Sequence, residues 1–224
     1  MQELVHGGDI YSQTGAALDF SANINPLGVP ESVKRAVIDS ADQWVRYPDP
    51  LCRKLRGALS SEEKVPPEWI LCGNGAADVI FRVVAALRPQ KALIPQPTFA
   101  EYEQALRIFS CETAFYFLTE ENDFCLTESF LERLTPEMDL VFLCNPNNPT
   151  GQTIPADLLQ KILERCQKYS IFLIVDECFQ DFLNPEQQGS LVPQLQDFSN
   201  LLILKAFTKI YAIPGLRLGY GLSS

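Results

Sequence analysis

Histidine is almost missing from this chain, with His6 the only one in 224 residues. No cysteine cluster offers metal-ligand spacing beside it, so a zinc centre is excluded. Positive charge is short too. Lysine and arginine number 18 against 28 acidic residues, a net charge of −10, which removes the long-range attraction that nucleic acid or an anionic membrane would need. Any anion bound here must be caught by a local pocket. Apolar runs stay well under the roughly 20 residues that cross a bilayer, and the opening MQELVHGGDI lacks the basic-then-apolar layout of a signal peptide. The expectation is a cytoplasmic protein with neither a nucleic-acid nor a membrane partner. There is no C-x-x-C pair among Cys52, Cys72, Cys111, Cys125, Cys144, Cys166 and Cys178, and an odd, unpatterned set reads as reduced thiols. Internal repeats and low-complexity tracts are absent.

What the chain does have is an alternation of periods. Short apolar runs at 69–72, 91–95, 140–144, 171–176 and 201–205 fit strands buried on both faces. Between them lie stretches with helical spacing. The clearest is PADLLQKILERCQKY, where Leu158, Leu159, Ile162, Leu163 and Cys166 recur at helical intervals and Pro155 suits a first turn. Both-face-apolar strands alternating with helices predict an α/β fold, a mostly parallel sheet with helices on both faces. The first 45 residues differ. FSANINPLG is too rich in turn formers for a core element, so residues 1–45 read as an arm followed by a helix from about Pro30.

In such a sheet, ligands bind beyond the carboxyl ends of the strands. The loops there are GNGAAD, PQPTFAEY, NPNNPTG, DECF and AFTK. GNGAAD places two glycines before a helix, where free N–H groups and the helix dipole suit a phosphate. Asp176 closes an apolar strand, a position that suits a helix cap or a partner for a protonated ring nitrogen. NPNNPTG presents Asn145, Asn147 and Asn148, more amides than a purely structural turn requires. Lys209 has flanks, AFT and IYAIPG, that offer no charge partner and bury part of its stem. Desolvation lowers a lysine's pKa, as a nucleophilic amine needs. Arg217, eight residues on, can fork onto a phosphate.

Taken in order, the glycine turn, the Asn-Pro-Thr-Gly, the strand-end Asp176 and the Thr-Lys followed by GLRLGY resemble the fold-type I pyridoxal-phosphate enzymes of the aspartate aminotransferase superfamily. HGGDI, DFSANINPLG and RYPDP are similar to the threonine-phosphate decarboxylase branch of cobalamin synthesis, close kin of the histidinol-phosphate aminotransferases. The resemblance implies pyridoxal 5′-phosphate held covalently by Lys209, with Asp176 on the ring nitrogen and Asn148 on the phenolic oxygen. It implies Phe99 on the ring face with Tyr102 nearby, and the phosphate on the backbone of Gly75, Ala76 and Ala77 with Thr208 and Arg217. Tyr47 matches a tyrosine that reaches the phosphate from a neighbouring subunit, which implies a homodimer. His6, Asn23, Asn25 and Asn148 fall on the substrate side, for a small phosphorylated amino acid.

The resemblance also marks departures. Ala206 stands where relatives carry a hydroxyl, and Ala76 and Ala77 where polar side chains are common, so the phosphate loses hydrogen bonds worth about 1.5–3 kcal/mol each. Cys178 replaces a small residue under the ring, and Phe179 a tyrosine found in many aminotransferases. The cofactor motifs serve decarboxylation and transamination alike, so the choice rests on the arm, which favours the decarboxylase. Residues 46–224 would form an incomplete cofactor-binding large domain, with the C-terminal small domain and its substrate-binding arginines absent. The chain alone is then expected to expose apolar surface and to turn over little or no substrate.

Overall fold

The computed structural model describes Gly8 and residues 19–224. Of the expected substrate residues, His6 lies outside the described residues. Helix α1 (Glu31–Asp39), entered through Pro30, follows the arm, and α2 (Arg53–Glu63) leads to a seven-stranded sheet. The remaining elements are β1 (Ile70–Gly73), α3 (Ala76–Leu87), β2 (Lys91–Gln96), α4 (Ala100–Ile108), β3 (Glu112–Phe117) and β4 (Leu140–Cys144). They continue with α5 (Ala156–Tyr169), β5 (Phe172–Asp176), β6 (Leu201–Ala206) and β7 (Gly219–Leu222). Across the sheet the order is β1-β7-β6-β5-β4-β2-β3, with β7 antiparallel to both of its neighbours and the other pairs parallel.

The apolar runs are divided by strand register into two cores. Leu93, Val141, Leu143, Leu173, Val175 and Ile203 pack with α5 through Leu158, Leu159, Ile162, Leu163 and Cys166. Ala92, Ile94, Phe142, Ile174, Leu202 and Leu204 pack on the other side with α3 and α4. A continuous apolar run therefore feeds both faces at once, the signature of a sheet covered on both sides. Cys166 sits on the buried stripe of α5, and all seven cysteines are free thiols.

Two strands escaped the pattern. β3 is one of the two edge strands, half-buried along most of its length, and its ETAFYF has no aliphatic run to announce it. β7, GYGL, is fully buried yet contains two glycines, residues that normally count against a strand. Its Gly219 is there because a Cβ would lie 2.6 Å from the Ala76 nitrogen and 2.6 Å from the Gly75 carbonyl carbon. The strand runs directly against the turn that opens α3, and only a hydrogen fits between them.

Residues 19–52 sit apart from both cores. Helix α1 has no buried residue, and Phe20, Leu27, Val45 and Tyr47 are almost fully exposed. No helix among the described residues is long and apolar enough to cross a membrane.

Ile162, fully buried on α5, and Glu164, on its exposed face, separate packing from propensity. Ile162→Ala is expected to cost about 2–5 kcal/mol in urea unfolding, while Glu164→Ala stays within about 0.5 kcal/mol.

Candidate active site

The strand ends open into a cleft of about 220 Å³. Its walls bring together Ala76, Ala77, Phe99, Asn148, Asp176, Thr208, Lys209 and Arg217, with Glu101, Cys144, Cys178, Phe179, Ala206 and Pro214 completing them.

One end of the cleft is built to hold an anion. Gly75 caps α3 with φ of +90° and no side-chain cap hydrogen bond, so no capping side chain occupies the first N–H groups of the helix, which have no intrahelical partner. A side chain at Gly75 would collide with Arg217, whose Nη2 lies 2.5 Å from where a Cβ would stand. The guanidinium thus packs against the turn itself. Arg217 has left-handed backbone (φ 52°), and its Nη1 donates to the Pro214 carbonyl at 3.2 Å. Among the described residues, neither Arg217 nor Lys209 has a carboxylate within 4.0 Å. Two cations without a carboxylate partner, beside a helix N-terminus, suit a phosphate.

At the other end stands Asp176, 4 % exposed. A buried carboxylate needs donors, and it has two: the Tyr102 hydroxyl donates to Oδ2 at 2.8 Å and the Cys178 N–H to Oδ1 at 2.9 Å. Burial, reinforced by the neighbouring Asp176, holds the Tyr102 phenol well above the usual tyrosine range, so it stays a donor. Tyr102 is itself fixed by stacking on Phe142, with centroids 4.7 Å apart, and by an edge contact with Phe99 at 5.5 Å. The thiols of Cys144 and Cys178 are pushed up, chiefly by burial, and remain neutral packing groups.

Lys209 lies between these ends, its Nζ 6.0 Å from the centre of the Phe179 ring. Burial lowers its pKa, and Arg217 adds to the effect against the opposing pull of Cys178 and Asp176. Its segment is held by the arm. The Asn25 N–H donates to the Lys209 carbonyl at 3.1 Å, and Asn25 Nδ2 donates to the Ile210 carbonyl at 2.8 Å.

Several expected residues take other places. Asn25 does not line the cleft, because its amide is committed to Ile210 and to the Leu27 N–H. Asn23 reaches the site indirectly, donating to Asn148 Oδ1 at 3.1 Å, and both border a second, adjoining cleft. Tyr47 is wholly exposed and away from the cleft lining. The amides of NPNNPTG are a correction to the sequence reading, since most of them do serve the turn. Asn145 Oδ1 accepts the Ile154 N–H, while Asn147 bonds the Pro97 carbonyl, Thr98 and Thr150. Only Asn148 of the three faces the first cleft.

Three wall residues, Cys144, Glu101 and Pro214, were not expected. Cys144 is placed by register, since β4 sets it opposite Asp176 on β5; the last residue of LVFLC was therefore a legible candidate. Nothing in PTFAEY distinguishes Glu101 from Glu103.

A doubly wound α/β sheet with a lysine, a buried aspartate and an anion cradle at its strand ends defines the class. The chain belongs to the aminotransferase class I and II family, whose profile matches residues 16–224. It is 47 % identical over 226 residues to the threonine-phosphate decarboxylase of Salmonella typhimurium, covering 98 % of this chain and 62 % of that protein. The crystal structure of the histidinol-phosphate aminotransferase from Clostridium acetobutylicum superposes with a TM-score of 0.83 at 32 % identity, over 92 % of this chain and 60 % of that one. That of L-threonine-O-3-phosphate decarboxylase from Porphyromonas gingivalis gives 0.78 at 26 %, over 91 % and 62 %. The chain thus spans about three fifths of the length of these relatives.

Replacement of Gly219 by alanine is expected to wedge β7 off the α3 turn and to lower stability by about 1–3 kcal/mol, read from urea denaturation. Of the loop amides, Asn147→Ala is expected to cost about 1–3 kcal/mol through its lost partners, whereas Asn148→Ala leaves stability within about 0.5 kcal/mol. Equal costs at the two positions would refute the division of labour.

Proposed function

We propose that this chain is the cofactor-binding part of a pyridoxal 5′-phosphate-dependent carboxy-lyase. The reaction is decarboxylation of L-threonine O-3-phosphate to (R)-1-aminopropan-2-yl phosphate, in cobalamin biosynthesis. The observation that carries the reading is the convergence of unpaired Lys209 and Arg217, the α3 N-terminus and doubly hydrogen-bonded Asp176 in one cleft. The 47 % identity to a threonine-phosphate decarboxylase supports the particular substrate. The activity is proposed for a protein of its relatives' length, to which residues 46–224 contribute the cofactor-binding domain and residues 1–45 an arm over the site.

The residues present fit the group. The N–H groups of Ala76 and Ala77 behind Gly75, the Thr208 hydroxyl and the Arg217 fork would hold its phosphate. Phe99 would cover one ring face, Asn148 would donate to the phenolic oxygen, and Asp176 would keep the ring nitrogen protonated. When bound, pyridoxal phosphate supplies the electron sink for breaking a bond at the substrate's Cα.

The chain's own part is positioning and proton control. Burial leaves more of the Lys209 amine neutral at a given pH than on an exposed lysine, so it can attack a carbonyl carbon or take up a proton. Asp176, locked by Tyr102 and Cys178, cannot turn away from the ring nitrogen. Asn23, through Asn148, ties the arm to the wall between the two clefts, and the second cleft, lined by Phe179, Phe182 and Leu183, gives the substrate its place beside the first. His6 and Asn23 are assigned to substrate recognition.

The partner is a second copy of the chain in a cytoplasmic homodimer, with Tyr47 reaching the neighbouring subunit's phosphate. In support, Trp44, Val45 and Tyr47 form a run of exposed large apolar side chains. A phosphate-substrate aminotransferase of the histidinol-phosphate type is the second reading, favoured by the 0.83 TM-score.

Borohydride is expected to trap pyridoxal phosphate on Lys209, and Lys209→Ala to abolish the adduct. Ala206→Ser restores a hydroxyl beside the phosphate cradle and is expected to tighten cofactor binding about tenfold or more, equivalent to ~1.5–3 kcal/mol. With O-phosphothreonine, a protein of the relatives' length is expected to release carbon dioxide, and this chain alone far less. Transfer of the amino group to a keto acid without carbon dioxide would select the second reading.

A further inference from the structure

On the α5 side of the sheet lies a buried polar cluster that the proposed chemistry leaves unused. Glu177 directly follows Asp176 but joins different neighbours. It is 2 % exposed, its Oε1 accepting the Leu191 N–H at 2.7 Å and its Oε2 the Ser190 hydroxyl at 2.6 Å. Its own N–H donates to the Leu204 carbonyl of β6 at 2.8 Å. The next residue, Lys205, reaches both carboxylate oxygens of Glu63 on α2, at 3.0 and 2.8 Å. Tyr220 of β7 donates to the same carboxylate. Asp181, in the short helical turn 180–182, is a further acid facing Tyr220. Lys205, which reads in the sequence as a strand-end charge, is therefore half of an ion pair whose partner is only 11 % exposed.

The cluster joins α2 to the ends of β5, β6 and β7, the strand ends that carry Asp176, Lys209 and Arg217 into the cleft. It contains two carboxyls, Glu63 and Glu177, and a single lysine. If both acids ionise, one buried negative charge has no counter-ion, which is unfavourable in a low-dielectric interior.

We propose that Glu177 is a positioning residue for the cleft. Through Ser190 and Leu191 it ties down segment 178–191, which carries the wall residues Cys178 and Phe179. The consequence for cofactor binding rests on the pyridoxal-phosphate reading above, but the tie itself does not. Burial raises the Glu177 pKa from 4.5 to about 7 by outweighing the opposing pull of the Ser190 and Leu191 hydrogen bonds and of Lys205. When the segment opens and Glu177 is hydrated, the pKa returns towards 4.5, so closing takes up a proton between these values. This contribution to closure is fully present below about 4.5 and is lost as pH rises through about 7.

The test is amide hydrogen exchange on the whole chain from pH 5 to 7.5, corrected for intrinsic rates, for wild type and Glu177→Gln. Glutamine keeps both bonds, its oxygen accepting from Leu191 and its NH₂ donating to Ser190 Oγ. Protection at Cys178 and Leu191 is expected to fall at least about tenfold in the wild type, one pKa unit's worth, and to stay flat in the variant. Borohydride trapping of pyridoxal phosphate at limiting cofactor is expected to lose the same pH dependence in Glu177→Gln. Flat wild-type protection, equal slopes in the two proteins, or a trapping profile the variant leaves unchanged would each overturn the proposal. A wild type that traps no cofactor at any pH sinks the reading of the cleft, while exchange at Cys178 still decides the tie. If Glu177→Gln does not fold, Ser190→Ala replaces it. Protection at Cys178 and Leu191 is then expected to fall together, and a response at Leu191 alone would overturn the coupling.

Discussion

A carboxylate at the end of a strand buried on both faces cannot be left without donors, and that constraint organises the site. Asp176 emerges between two cores that exclude water, so its oxygens must be satisfied from within. One donor comes from α4, through Tyr102, and the other from the backbone that turns away from β5. Tyr102 can serve only because Phe142 and Phe99 fix its ring. The aspartate's geometry therefore depends on helix α4, on the register of β4 and on the chain leaving β5. Those same elements supply the cleft's walls. Packing of the core and construction of the site are here the same event.

Much of this was legible in the sequence. The apolar runs mark β1, β2, β4, β5 and β6 to within a residue or two, and all but the edge strand β1 are buried along most of their length, with few polar positions to interrupt the run. The strands the pattern missed have physical reasons for their silence. β3 sits at the edge with half-buried side chains, and β7 has glycine where backbone passes backbone. The strand-end rule pointed to the loops of Asp176, Asn148 and Lys209, which line one cleft because such loops converge where the strands are parallel. What it did not distinguish was amides that build the turn from the amide that faces the cleft. Asn145 and Asn147 have the same composition as Asn148, and only the direction of each side chain separates them.

Charge pairing was the other hidden layer. Lys205 and Glu63 are 142 residues apart, and neither has a local sequence feature that points to the other. Sequence spacing gives helical and strand neighbours, but not which side chain a buried lysine meets across a sheet. The result is two polar assemblies on opposite sides of one sheet end. Asp176 with Tyr102 lies towards α4, and Glu177 with its neighbours lies towards α2 and α5. Consecutive residues of one strand end thus send their carboxyls into different cores, by the same alternation that sorts the leucines and valines around them.

The hydrogen bonds from Asn25 to the Lys209 segment bear on how the chain is made. Asn25 and the carbonyl its amide binds are 185 residues apart. Asn25 is synthesised before β6 and the lysine loop and finds its partners only after they have been made. A contact that looks local to the active site therefore joins segments made far apart in time, and the lysine segment is anchored by Asn25 only once both have been synthesised.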